Sequence, residues 1–416
     1  MSKAKVNRRE MMAATAAGVG ASLLAGSGAR VLGAESGGSG VLGANERIVM
    51  GIIGSGGMGR GHMGNFKKFG VRWAAVCDVY EPNLRQGLEI AGDKAEGYLE
   101  HERLLERKDI DAVLIASPEH WHHGHLLAAM EVGKHAYCEK PMCWSIQQGV
   151  EMIKAVRKTD RIVQIGMQRR SSPAIRDLKK LFEDDVLGNV YLVQAEWYWK
   201  HPGKPISNES LPGKLDWERF CGSAGKQAFE PMKFRYWRCF WPFSGGNETD
   251  QGTHLMDVVQ WMMGAERPIS ALQYGNVYVN KPTETPDVFS CTFEYPKFMA
   301  TWTLSYTSAR WRNGWSIVFH GEKAALFLTE QGYRIFDQVN GWENGLPKPT
   351  KEYMPGGLTT TEPHIQNFLE CIKSGKQPNA TVELGFQAVR PLHLANAALK
   401  HGTKAVLGED GVTIEA

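Results

Sequence analysis

Three stretches of this chain hold residue types that can do chemistry at spacings where the chemistry works. The first is Gly54-Ser55-Gly56-Gly57-Met58-Gly59, a G-x-G-x-x-G turn set between an apolar run (Ile48 to Ile53) and a second run, Trp73 to Cys77, that closes on Asp78. Gly54 permits a tight turn, and Gly56 lets the backbone N–H groups of the turn approach a pyrophosphate. Gly59 lets the following helix pack close to the strand. The N-terminus of that helix adds partial positive charge beneath the phosphates. Asp78, about 20 residues beyond the last glycine, is placed to accept hydrogen bonds from the adenosine ribose. It would also repel a 2′-phosphate, so NAD is favoured over NADP.

The second stretch is Glu139-Lys140-Pro141, a charged pair fixed by a proline directly after the apolar run His135 to Cys138. Ser117-Pro118-Glu119-His120-Trp121-His122-His123 occupies the equivalent place after Ala112 to Ala116. Ligands of open α/β sheets bind at such carboxyl ends of strands; the plain alternative for Lys140 is a solvated surface residue. The third stretch is Asp250-Gln251-Gly252-Thr253-His254, where acid and imidazole lie one helical turn apart. A carboxylate beside an imidazole raises its basicity and orients it, as a proton acceptor requires. Taken alone, the pair reads equally well as a capped helix end with a core histidine. His120, His122, His123 and His125 gather no nearby acid or cysteine into a ligand set, so no metal is expected.

The elements that must position these groups follow from hydrophobic rhythm. Short apolar strands alternate with helices from residue 46 to 167, which predicts a Rossmann-type, doubly wound parallel sheet. The stretch from Pro82 to Asp109 reads as helical. Beyond residue 168 the rhythm changes to a helix at 173–183, a strand at Asn189–Trp199 and an aromatic, loop-rich segment to Gly246. A run of strand candidates from Leu272 to Phe336 follows. This predicts a C-terminal α+β domain over 168–416 with a large, mostly antiparallel open sheet. Two closing helices, 361–373 and 382–400, either cover that sheet or return to the first domain. Thirteen Trp are present, and Trp197, Trp199, Tyr236, Trp237 and Trp241 offer flat apolar faces for sugar rings.

Residues 1–34, with Arg8-Arg9 ahead of a mild apolar run, resemble a twin-arginine (Tat) signal, and 35–45 is a Gly/Ser leader. The run Met11 to Ala25 is too short for a membrane span. A net charge of +3 on 416 residues argues for neither nucleic acid nor an anionic membrane as partner. Seven cysteines without C-x-x-C define no disulfide framework.

Over residues 46–410 the chain resembles the Gfo/Idh/MocA oxidoreductases, relatives of glucose-fructose oxidoreductase and inositol dehydrogenase, in a branch with Tat signals. The likeness rests on IIGSGGMGRGHM, SPEHWHHGHLLAAMEVGKHAYCEKP, GMQRRSSP and GGNETDQGTHLMDVVQWMMG. It implies that Lys140 bonds the reacting hydroxyl and stabilises alkoxide character, while His254 takes its proton and Asp250 positions sugar and imidazole. Ser117, Pro118, His120, Trp121 and Glu139 would join the glycine turn and Lys140 around the cofactor. Gln168, Arg169, Tyr236 and Trp237 would border the substrate, and Lys140–Pro141 would be cis. The implied protein is a homodimer or homotetramer, carried to the periplasm by the Tat translocase. Its implied activity is NAD-dependent hydride exchange with a secondary hydroxyl of a sugar, cyclitol or glycoside, on a cofactor recycled in place. Two alternatives stay open: a redox-neutral glycosidase working by oxidation, elimination and reduction, and a non-catalytic NAD-binding sensor.

Overall fold

The computed structural model describes residues 47–200, 205–306, 314–338 and 348–416. The expected signal at 1–34 and leader at 35–45 lie outside the described residues. The chain opens with β1 (Val49–Ile53), α1 (Gly57–Lys67), β2 (Arg72–Cys77) and α2 (Glu81–Ala91). It continues with β3 (Glu96–Tyr98), α3 (His101–Leu105), β4 (Ala112–Ile115) and α4 (Glu119–Glu131). Then come β5 (His135–Cys138), α5 (Ile146–Val156) and β6 (Val163–Ile165). These six strands form one parallel sheet in the order β3-β2-β1-β4-β5-β6. The order reverses between β1 and β4, which opens a crevice at their carboxyl ends. Apart from β3 the strands are buried on both faces, and β4 is buried at every residue, which explains their unbroken apolar runs.

The helical reading of Pro82 to Asp109 needs correction. Glu96–Tyr98 pairs in parallel with Ala75–Cys77 as an edge strand. Its three residues, two of them exposed, are too few and too polar to show a period of two.

After β6 come a 3₁₀ turn (Gln168–Ser171), α6 (Pro173–Glu183) and β7 (Val190–Tyr198). An excursion then carries α7 (Trp217–Cys221) and α8 (Pro231–Arg235) before the long α9 (Gly246–Met263). The second sheet adds β8 (Ser270–Asn276), β9 (Val288–Glu294), β10 (Met299–Ser305), β11 (Gly314–Gly321), β12 (Ala324–Thr329), β13 (Gly332–Asp337) and β14 (Lys351–Tyr353). Helices α10 (Thr361–Ser374) and α11 (Val382–His401) precede the short β15 (Ala405–Leu407) and β16 (Ile414–Glu415). The ten strands pair antiparallel except β7 with β10. One face packs on α9 and α11; the other presents Leu272, Tyr274, Met299 and Val406, with Tyr274 71% exposed.

Two features tie the halves together. Helices α10 and α11 turn back onto the first sheet: Phe368 meets Phe66 and Tyr137 edge to face, and a Cβ on Gly149 would lie 2.3 Å from Phe386. The excursion, built on a small core of Phe220, Cys221, Met232, Cys239, Phe240 and Phe243, straps across the end of β2. Glu81 N–H donates to Lys214 O (2.9 Å), Asp216 N–H donates to Val79 O (2.9 Å), and Tyr80 bridges to Leu215.

Candidate active site

The glycine turn is built as a phosphate cradle. Gly54 has φ +91°, and a Cβ there would lie 2.6 Å from Ser117 N. A Cβ on Gly59 would lie 2.2 Å from Gly54 O, so α1 packs against β1 only with glycine. Above Gly56 the nearest atom is Asn83 Nδ2 at 4.0 Å, and above Gly57 there is open space within 4 Å. That space belongs to a cavity of about 380 Å³ lined by Gly54, Gly56, Gly57, Met58, Asp78, Ser117, Pro118 and Trp121. Asp78, at the tip of β2, accepts from Ser55 N–H (2.8 Å) and Tyr80 N–H (2.9 Å). Burial pushes its carboxyl up to about 6, against those hydrogen bonds. Glu100 and Glu102 line the cavity beside it, and Phe234, Arg235, Trp237 and Arg238 of the excursion form the opposite wall. The turn, the acid and the cavity fit a dinucleotide.

At the Arg238 end, groups from four elements converge. Lys140 follows β5 and joins Pro141 through a cis peptide, and its ammonium donates to Asp250 Oδ1 (2.8 Å) and Asp250 O (3.0 Å). Asp250 and His254 share one face of α9. Arg238 places Nε 3.2 Å from Asp250 Oδ1 and its guanidinium 4.1 Å above the Trp237 ring. Arg169, from the 3₁₀ turn, donates to His254 O (3.0 Å) and stacks 3.8 Å over Trp315. Gln168 begins that turn, half-buried.

The electrostatics correct one expectation. Asp250 was to raise the basicity of His254, yet its charge is already shared by Lys140 and Arg238. Burial favours the protonated acid, but those two cations outweigh it and hold the Asp250 carboxyl well below the usual carboxylate range. Burial first, then Lys140 and Arg169, push His254 well below its ordinary value; Asp250 opposes them without prevailing. The imidazole is therefore neutral, and its Nδ1 has no hydrogen-bond partner among the described residues. A neutral ring can accept a proton, which a charged one cannot.

The side chains of His120 and Glu139 are engaged by the protein itself. His120 sets Nε2 2.8 Å from Phe220 O and Nδ1 3.2 Å from Phe243 O, and its one N–H ties it to the excursion. Burial lowers its ring to about 4. Glu139 turns inward, 2.7 Å from His62 Nε2, and accepts the Lys140 N–H at 3.2 Å. Tyr236 packs on the excursion's own core, whereas Trp237 lines the cavity. Trp197 and Trp199 stack on each other, and Trp241 lies under the Lys400 ammonium at 4.3 Å. Among the described residues no group of three His, Cys, Asp or Glu could hold a metal.

Two contributors escaped sequence reasoning. Arg238 sits in an aromatic loop without periodicity; the only hint is its place directly after Trp237. Glu119 accepts from Ser244 Oγ (2.7 Å), Gly245 N–H (3.0 Å) and Thr249 Oγ1 (3.1 Å), pinning the start of α9 to α4. Burial pushes Glu119 up to about 8, with Asp250 adding and those donors opposing.

Comparison with known proteins gives two family matches. Residues 48–167 match the oxidoreductase family's NAD-binding Rossmann fold, and residues 216–407 match its C-terminal alpha/beta domain. The oxidoreductase YrbE of Bacillus subtilis is 24% identical over 377 residues, covering 86% of this chain and 96% of that protein. An inositol 2-dehydrogenase/D-chiro-inositol 3-dehydrogenase of Shouchella clausii is 31% identical, over 36% of this chain and 44% of that protein. Levoglucosan dehydrogenase, solved with NADH and levoglucosan, superposes with TM-score 0.69 at 15% identity, over 87% of this chain and 100% of its own. The WlbA dehydrogenase of Bordetella pertussis, solved with NADH and UDP-GlcNAcA, gives 0.68 at 19% identity, over 87% and 99%.

Proposed function

The chain belongs to the GFO_IDH_MocA oxidoreductase family, and from that premise we propose that it exchanges hydride between NAD and a secondary hydroxyl of a sugar or cyclitol. The observation that carries this reading is the bond from Lys140, of the nucleotide-binding sheet, to Asp250 of α9, one helical turn before His254, with Arg238 joining Asp250 to the cavity wall. Bound NAD supplies the hydride acceptor or donor. The chain's own residues do the rest. Two donor positions of the Lys140 ammonium are held by Asp250, which leaves a third for the substrate oxygen and a positive charge where alkoxide character develops. His254 accepts the hydroxyl proton in oxidation and returns it in reduction. Lys140 and His254 together hold the substrate in line, and such orientation is worth roughly 7–11 kcal/mol of barrier.

The relatives' inositol and levoglucosan activities support a polyhydroxylated substrate. The strap over Val79–Glu81 supports a slowly exchanging cofactor, since the adenosine end cannot open without parting it from Lys214 and Asp216. Export to the periplasm is part of the proposal and rests on Arg8-Arg9; no described helix is long and apolar enough to cross a membrane.

The test is direct. Denaturing the purified protein should release NAD, and a panel of sugars and cyclitols should change nicotinamide absorbance. Lys140→Ala should lower turnover on the order of 10²-fold or more, as removal of a donor to a developing oxyanion does. Wild-type rates in Lys140→Ala would overturn the reading. Release of free sugar without net NADH would favour the redox-neutral glycosidase instead.

A further inference from the structure

The hydrogen-bonding capacity around Asp250 is unevenly spent. Oδ1 takes Lys140 Nζ and Arg238 Nε, and Oδ2 takes Gln251 Nε2 at 3.0 Å. Asp250 is buried, so little of it is left to accept from sugar hydroxyls. What the site still offers is donors: the third Lys140 N–H and the two terminal amino groups of Arg238, which have no partner among the described residues. The charge is uneven too, with two cations sharing one carboxylate. The next acid along α9, Asp257, is taken by Arg170 at 2.7 Å. The Arg238 side chain stays 38% exposed, on the cavity wall, with its plane fixed by Trp237.

We propose that the substrate is a sugar acid, a hexuronate or aldonate, whose carboxylate is held by the fork of Arg238 while its reacting hydroxyl lies between Lys140 and His254. The inference rests on the dehydrogenase reading and narrows its substrate. A planar guanidinium with both amino groups free matches a carboxylate bidentately, whereas a neutral hydroxyl matches one N–H at most. A neutral sugar would offer no partner to the second Arg238 amino group.

The experiment titrates the NADH-loaded protein with matched pairs, glucuronate against glucose and gluconate against glucitol, following nicotinamide fluorescence. The acid should bind about 10-fold or more tighter than its neutral partner. That preference should weaken as salt rises. Arg238→Gln should abolish it and Arg238→Lys should keep part of it, because a point charge remains without the fork. Equal or tighter binding of the neutral partner, binding of neither, or an equal loss for both ligands in Arg238→Gln would overturn the inference. Lys140→Ala reports on the parent reading separately: hydride transfer surviving there sinks the dehydrogenase itself, whichever sugar binds.

Discussion

His254 serves as a proton acceptor only while uncharged, and three influences keep it so: burial, Lys140 and Arg169. Protonation therefore sets in only well below the 6.5 of a free imidazole. The acid limb of the turnover profile should accordingly lie below that value, with the rate falling as protons occupy the ring. A pH–kcat series checks this, and a limb above 6.5 would mean that Asp250 dominates after all. His254→Asn should remove the limb together with most of the activity. The places of Gly54, Gly56, Gly59, Asp78 and Lys140 were legible because each is set by near neighbours in sequence: a turn, a strand end, a proline. Arg238 and Glu119 were not. Glu119 bonds to Ser244 across 125 positions, and no local pattern encodes such a meeting. The partners of His120 and Glu139 were hidden for the same reason, since a position after a strand fixes where a backbone lies and not which way a side chain turns.

Helix α9 is where element and chemistry coincide. It is buried on nearly every side, so its polar residues must each find a partner or give up their charge. Glu248 does the latter: neither carboxyl oxygen has a hydrogen-bond partner among the described residues. Burial raises it well above 4.5, and Gln273 opposes the shift without reversing it. A raised folded-state pKa means stability that is complete below about 4.5 and drains away as pH climbs toward the folded value. Glu248→Gln keeps the shape without the proton, so its melting temperature should exceed the wild type's by a margin that grows with pH from about 4.5 upward. Thermal denaturation across pH measures it; a flat difference would mean that the carboxylate has a counter-charge. Long periodic elements such as α9 and α11 were readable from sequence. The short strands β3, β14, β15 and β16 were not, because pairing rather than pattern makes them strands.

At the scale of the whole molecule, the uncovered face of the second sheet sets Leu272, Tyr274, Met299 and Val406 toward solvent. We propose that a second copy of the chain covers it, because the sheet's ten strands present one broad, continuous face to a like face. Tyr274→Lys with Met299→Lys should shift the protein to a smaller species in light scattering after gel filtration, with NAD still bound. An unchanged mass would place any assembly elsewhere.

The return of α10 and α11 onto the first sheet sets an order of events during synthesis. Phe66, Tyr137 and Gly149 leave the ribosome long before Phe368 and Phe386, the side chains that shelter them. A nascent chain halted after β13 would hold a nucleotide half with one greasy flank bare, open to chaperones and to aggregation. Maturity of the earliest-made half thus waits on some of the last residues to emerge.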